Sequence, residues 1–373
     1  MASLYIHIPF CHHKCIYCDF YSIAQKFDHS KYIDALEREM EHRKDFFEKK
    51  ETLSSVYFGG GTPSILSIKD LGRIFEKIVF YFSLSKDCEI TFEANPENIS
   101  FPYARDLRQI GFNRISLGVQ SFDDKTLRLI NRSHTSALAK SSIEILKNSE
   151  FENISIDLIS NLPYSDLEHW KKNLEIFLSY DLPHISCYTL MREEGTMLDK
   201  LLKKNKLTLL EESQQIEQME FTMDFMQKYN YAHYETSSFA LEGFHSRHNM
   251  SYWTFEKYLG LGAGAHSYNG KERFWNIADV YKYTENVLNT NFDSICEKEF
   301  LSTKNKYNEY IMLTARLSKG LSLEFVKKHF AEYYVYFFQQ TTKLIKEGLI
   351  NKDLSPTRKG WLLQDSIILA LAV

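Results

Sequence analysis

Six short runs rich in β-branched and aromatic residues recur through the first half of the chain, at 4–8, 54–58, 89–92, 114–119, 153–159 and 184–190. Helical periodicities such as 32–46, 71–82, 137–149 and 167–179 lie between them. Strands alternating with helices at this spacing predict parallel β/α units. Periodicity does not separate an open barrel from a doubly wound sheet, but in either the chemistry gathers where strands end at their C-termini. Unusual residues fall there: Cys11, Gly59, Glu93, Gln120 and Asn161 each follow an apolar run.

After Met191 the alternation fades into a helical tract, about 209–229, and then a stretch rich in His, Tyr, Trp and Gly up to about Asn276. Residues 305–373 carry helical runs at 309–317 and 334–347, a turn at Pro356 and a final helix from Lys359. That order suggests a winged-helix-like module that packs or docks. The expected division is a barrel over 1–195, an accessory region over 196–300 and the C-terminal module over 301–373.

Lys plus Arg number 45 against 49 Asp plus Glu, a formal charge of −4. No global basic field exists to hold nucleic acid or an anionic membrane. Residues 1–10 show no basic leader, and nowhere do about 18 apolar residues run together. The expectation is a cytoplasmic protein without an integral membrane segment. Three of six cysteines, Cys11, Cys15 and Cys18, fall within eight residues. In a reducing compartment such a group points to a metal or catalytic site rather than to disulfides.

Their C-x3-C-x2-C spacing follows the first strand directly and presents three thiolates to one soft centre. A cubane cluster has four irons, so three cysteines leave one iron open to a ligand. Zinc is the alternative, with His7, His12 or His13 as a fourth ligand. Gly59-Gly60-Gly61-Thr62-Pro63 follows the second strand and lets backbone polar groups approach a ligand closely. A cysteine loop followed by this glycine turn resembles the radical S-adenosylmethionine (SAM) superfamily. The resemblance implies a partial (β/α)6 barrel with a mostly helical C-terminal region, and a 4Fe-4S cluster chelated by SAM and ligated by Cys11, Cys15 and Cys18. It places Tyr5, Gly60, Gly61 and Thr62 at SAM. Glu93 would accept from the ribose hydroxyls, and Gln120 and Arg132 would hold the methionyl carboxylate. Asp157, an acid in an apolar strand, needs a partner, with Arg132 or the SAM ammonium as candidates.

The run Tyr5-Ile-His-Ile-Pro-Phe-Cys11, the Gly-Gly-Gly-Thr-Pro turn, Gly118-Val-Gln-Ser-Phe122, Asp157-Leu-Ile and Leu162-Pro163 together resemble the oxygen-independent coproporphyrinogen III oxidase family. That family holds true oxidases, which decarboxylate porphyrinogen propionates, and HemW-like haem chaperones. True bacterial oxidases carry another cysteine two positions past the third ligand, where this chain has Asp19-Phe20, and an N-terminal extension not found here. His248-Asn249-Met250-Ser251-Tyr252-Trp253 matches the H-N-x-x-Y-W pattern of the chaperones. By that resemblance His248 ligates haem iron while Tyr252 and Trp253 face the porphyrin. Arg247 would meet a propionate, and Met250, His245 and His266 compete as ligands. The expected function is haem carriage, with haem as cargo and an acceptor haem protein, a respiratory one among the candidates, as partner. The alternative is coproporphyrinogen decarboxylation. Gly260, Gly262 and Gly264 read equally as a close backbone approach or as part of the site.

Overall fold

A computed structural model describes residues 2–373. The six expected strands form: β1 (Ala2–Ile8), β2 (Leu53–Gly60), β3 (Leu84–Ala94), β4 (Arg114–Gln120), β5 (Asn153–Ser160) and β6 (His184–Thr189). Each pairs in parallel with the next in sequence order. A doubly wound sheet reverses its strand order at a switch point; this one never does, so the six strands curl into a partial barrel.

The helices connecting them are α1 (His29–Arg43), α2 (Ile68–Tyr81), α3 (Phe101–Ile110), α4 (Asp124–Leu129), α5 (Ser136–Asn148) and α6 (Leu167–Ser179). Each opens on Asp, Ser or Thr: Asp28, Ser67, Ser100, Asp123, Thr135 and Asp166. Their side-chain oxygens accept a first-turn N–H that has no partner within the helix.

Strand alternation sorts the residues. Leu4, Ile6 and Ile8 of β1, Val56 and Phe58 of β2, and Ile115, Leu117 and Val119 of β4 face the helices in one continuous core. The other face carries Ser3, Tyr5 and His7; Ser55 and Tyr57; Glu89, Thr91 and Glu93; Arg114 and Ser116; Ser155 and Asp157; His184 and Ser186. The barrel interior is therefore polar, and its groups bond to one another, as in Ser55 to Ser3 (2.9 Å) and Ser155 to His184 (2.7 Å).

Residues 196–300 extend this sheet at both edges. After α7 (Met197–Lys203) and α8 (Glu212–Lys228), β7 (Ala232–Glu235) and β8 (Ser238–Ala240) form a hairpin whose β8 pairs antiparallel with β6, leaving β7 at the edge. The chain then forms α9 (Arg247–Trp253) and returns to the far edge, where β9 (Lys257–Leu261) pairs in parallel with β1. There β10 (His266–Tyr268), β11 (Glu272–Asn276), α10 (Val280–Leu288) and β12 (Cys296–Phe300) complete a twelve-stranded, unclosed sheet.

Gly262 has φ 102°, and a Cβ on it would run into the Tyr32 hydroxyl and the His7 carbonyl. Glu39 of α1, fully buried, accepts from Gly262 N (2.8 Å), Asn276 Nδ2 (2.7 Å) and Tyr283 Oη (2.6 Å). The glycines let the chain close onto this carboxyl group, which is the close-approach reading.

The remaining helices are α11 (Thr303–Thr314), α12 (Leu323–His329), α13 (Tyr334–Lys346), α14 (Arg358–Leu362) and α15 (Gln364–Leu371). An antiparallel bridge between Ile350 and Pro356 forms the turn after α13. Tyr307, Ile311, Val326, Phe337, Leu344 and Ile367 give this part a core of its own. Among the described residues no helix is long and apolar enough to cross a membrane.

Candidate functional site

The cysteine loop leaves β1 and is tied down along its length. Cys11 N donates to Ile23 O (2.9 Å) and Ile23 N to Pro9 O (2.7 Å), which closes the loop at its base. Its tip is held by Asn131 Nδ2 on Lys14 O (2.9 Å) and by Leu198 N on Ile16 O (2.8 Å). Thr62 Oγ1 approaches Cys11 Sγ at 3.4 Å and an Arg132 guanidinium nitrogen approaches Cys15 Sγ at 3.6 Å. Burial raises the Cys18 thiol above its ordinary value, a cost that metal ligation reverses.

All three thiols border one cavity of about 530 Å³ at the C-terminal ends of the strands. Gly60, Gly61, Thr62, Glu93, Gln120, Arg132 and Asp157 line it too, so seven of the eight residues expected at SAM converge with the cysteines. Gly60 lies at φ 109° with its N–H on Glu93 Oε2 (3.2 Å). A Cβ on Gly61 would stand 2.7 Å from Phe10 O and 2.8 Å from Ile8 O, backbone atoms with no room to yield. Gln120 is left-handed at φ 65°, a conformation uncommon outside glycine, and turns the chain out of β4 at the cavity wall.

Tyr5 is placed differently from expectation. It points into the barrel but one layer below the cavity, its hydroxyl 3.0 Å from His7 Nδ1 and its ring against Tyr57 (centroids 6.1 Å). The period of two that aims Tyr5 inward also places it two residues deeper than His7. Asp157 is not paired with Arg132 either. Its partners are the Ser116 hydroxyl, at 3.1 Å, and the Ser186 hydroxyl, while Arg132 reaches Asn95 Oδ1 (2.7 Å) and Gly118 O (2.5 Å). Burial raises the Asp157 carboxyl, with the Ser186 and Ser116 hydroxyls pulling it back. Burial likewise pushes Glu93 up to about 7 despite the Tyr57 Oη bond to its Oε1 (2.8 Å). Arg132 Nε is buried without a partner.

Tyr57, Asn95 and Ser116, which hold Glu93, Arg132 and Asp157, escaped the sequence reading. The signal available for Tyr57 and Ser116 was the polar alternation within β2 and β4. No comparable pattern marks Asn95.

None of the expected haem residues lines the cavity. His248 lies toward the N-terminal ends of the strands, 1% exposed. Its Nδ1 bonds Ser55 Oγ (3.0 Å) and its Nε2 bonds Tyr252 Oη (2.9 Å), and its ring stacks on Tyr57 (4.8 Å, 27°). Glu89 of β3 accepts the backbone N–H of Arg247 (3.0 Å) and His248 (3.1 Å), which fixes α9 against the barrel floor. Burial pushes the imidazole down to about 3, so it is neutral, as a metal ligand must be, yet both nitrogens are engaged. Arg247 pairs with Asp87 (2.7 Å). His248 thus sits in a hydrogen-bonded, stacked seat rather than an open ligand position, because Ser55 and Tyr57 reach it from a strand far away in sequence.

An unclosed six-stranded parallel barrel with three cysteines on its first loop and a glycine turn on its second defines a radical SAM protein, and the Radical SAM superfamily pattern matches residues 5–194. The chain is 37% identical to the heme chaperone HemW of Lactococcus lactis over 98% of this chain and 96% of that one. It is 36% identical to the heme chaperone HemW of Bacillus subtilis over 98% of each. The chain therefore belongs to the HemW family of the radical SAM superfamily. Among solved structures, coproporphyrinogen III oxidase (HemN) from Escherichia coli, a radical SAM enzyme, superposes with a TM-score of 0.85 at 24% identity, covering 100% of this chain and 90% of that one, which shows the shared fold.

The family implies a 4Fe-4S cluster and SAM, and the site fits them. No group of three His, Cys, Asp or Glu side chains among the described residues converges as ligands of a single ion would. Three thiolates that each bind a different iron need no such convergence. The Gly61 cradle, the orphaned Arg132 Nε and the free acceptor capacity of Asp157 all border the same space.

Proposed function

We propose that this chain is a haem chaperone, binding haem and passing it to an acceptor haem protein in the cytoplasm while its barrel holds a 4Fe-4S cluster and SAM. The observation that carries the reading is the match, along 98% of the chain, to proteins named heme chaperone HemW. Phe20, in place of the further cysteine that the resemblance ascribes to true oxidases, agrees with it. Cys11, Cys15 and Cys18 would hold the cluster. The backbone of Gly60 and Gly61 and the Thr62 hydroxyl face the methionyl end, Glu93 the ribose hydroxyls, Gln120 and the free donor of Arg132 the carboxylate, and Asp157 the ammonium. A reduced cluster and SAM together supply one-electron cleavage of a sulfonium bond. In a carrier, the residues need only bind that pair and exclude water from it. His248, Tyr252 and Trp253 are assigned to haem, with Tyr252 turning aside to free the His248 Nε2.

Haem titration of the anaerobically purified protein tests the reading, with His248→Ala beside it. Saturable binding by the wild type and at least a tenfold loss in the variant are expected (about one axial ligand's worth). Robust protoporphyrinogen formation from coproporphyrinogen with reductant and SAM would overturn carriage in favour of catalysis.

SAM binding should also depend on pH through Glu93. Burial holds this carboxyl near 7, and only its ionised form offers both oxygens to ribose hydroxyls, so protonation opposes binding. SAM affinity is expected to weaken about tenfold between roughly pH 8 and pH 6, as one proton must leave for each SAM bound. Glu93→Gln should bind weakly and lose that part of the slope in anaerobic calorimetry.

A further inference from the structure

The turn from Asn131 to His134 joins three of the loops that build the cysteine site. Asn131, left-handed at φ 61°, donates from Nδ2 to Lys14 O of the cysteine loop (2.9 Å). Ser133 Oγ donates to Glu97 Oε1 (2.5 Å) in the loop after β3, and His134 Nε2 bonds Val119 O of β4 (3.0 Å). Between them stands Arg132, its guanidinium clamped by Asn95 Oδ1 and Gly118 O. These contacts fix where the cation lies, and it lies 3.6 Å from Cys15 Sγ.

The three sulfurs of the loop are not equivalent. Cys11 Sγ has one neutral side-chain donor, Thr62 Oγ1 at 3.4 Å, and Cys18 meets the backbone N–H of Phe20. Cys15 Sγ receives the Arg132 cation and also the hydroxyl of Tyr17. The Tyr17 ring packs on the apolar cluster of Ile16, Ile130 and Leu198 beneath the loop, and Tyr17 and Arg132 both border the cavity. One thiolate out of three is therefore supplied with a charged donor and a hydroxyl together, and the turn that carries the charge is anchored from three sides.

Resting on the cluster assigned to this cavity above, we infer that Arg132 and Tyr17 set the reduction potential of the 4Fe-4S cluster through the Cys15 sulfur. Reduction adds one electron to the cluster and breaks no bond. The added negative charge spreads onto the thiolate sulfurs, where hydrogen bonds and a neighbouring cation stabilise it. Both donors therefore favour the reduced cluster and raise its potential. Neither side chain binds iron; they are positioning residues that act through a ligand, as groups behind a metal's own ligands do. A cluster held at a raised potential is a weaker electron donor to the sulfonium of SAM, which suits a carrier that keeps SAM whole.

The test is an anaerobic potentiometric titration of the reconstituted full chain without SAM, with dithionite as the electron source and the electron paramagnetic resonance signal of the reduced cluster as the readout. Wild type, Tyr17→Phe and Arg132→Gln are compared. Tyr17→Phe removes the hydroxyl and leaves the ring packed, so about four irons per chain and the wild-type urea midpoint are expected. Its potential should fall by about 59 mV, a tenfold change in the one-electron equilibrium. Arg132→Gln removes a cation as well as a donor and should fall further. A merely structural role would change iron content or the unfolding midpoint and leave the potential of the assembled clusters where it was. An unchanged or raised potential in either variant overturns the assignment. A wild type that takes up no cluster overturns the site reading beneath it, while haem carriage stands or falls by its own titration.

Discussion

Replacing Glu39 by alanine is expected to destabilise the barrel by about 3–5 kcal/mol, the range for stripping a buried carboxylate from its hydrogen-bond donors. Two groups, the Gly262 amide and the Tyr283 hydroxyl, lose their acceptor at once, and the Asn276 side chain loses one of its two. They belong to three segments of the 257–288 region, so one side chain of α1 ties that region to the barrel. Tyr32 of the same helix donates to His7 O (2.8 Å), on the strand end that leads into Cys11. The clamp therefore bears on the position of the cysteine loop as well as on stability. A domain of ordinary stability, roughly 5–15 kcal/mol, survives such a loss only narrowly. Glu39→Gln keeps the volume but turns an amide N–H toward the donors, and should fall between alanine and wild type. Glu41→Ala, an exposed change on the same helix, should shift stability by less than about 0.5 kcal/mol. Urea unfolding followed by tryptophan emission measures all three. Equal midpoints for the Glu39 and Glu41 variants would show that the clamp carries no load.

What sequence reveals about this molecule follows the range of the interactions involved. The six barrel strands were legible because a parallel strand covered by helices must be apolar on one face, and the crossovers opened on capping residues. The cysteine loop and the glycine turn were legible because their ligands lie close together along the chain. The short strands β7 to β12 were not, since three to five residues seldom display a period. The buried seat of His248 was not legible for a different reason. Its aromatic, helix-like surroundings describe a haem ligand as well as a packed histidine, and the residues that decide, Ser55, Tyr57 and Glu89, lie more than 150 positions away. Asp157 was read as needing a partner, with Arg132 or the SAM ammonium as candidates; within the chain the neighbouring strands supply the Ser116 and Ser186 hydroxyls instead of Arg132. In each case the deciding contact joins residues far apart in sequence.

Substituting serine for Cys15 is expected to abolish the cluster, from about four irons per chain after anaerobic reconstitution to less than about one. The argument rests on the contrast among the six cysteines. Cys11, Cys15 and Cys18 border a cavity on a loop pinned at base and tip, and the Cys15 sulfur meets Arg132 at 3.6 Å and the Tyr17 hydroxyl. Losing it costs little packing, so the Cys15→Ser chain should unfold within about 1 kcal/mol of wild type. Cys88 and Cys187 stand in the opposite condition: burial pushes the Cys88 thiol up to about 12 and raises Cys187 strongly as well. Neither borders the cavity of the cysteine loop, so Cys88→Ala and Cys187→Ala should keep full iron and lose stability instead, as small packed hydrophobes do. Iron assay and urea unfolding on the same preparations separate the two behaviours. SAM affinity supplies the third measurement, because Gly60, Glu93 and Asp157 remain in place when the cluster is gone. Residual SAM binding by Cys15→Ser, weaker than wild type but still lost on Glu93→Gln, is the expected outcome. Full iron retention by Cys15→Ser would contradict a site in which each of three thiols holds its own iron.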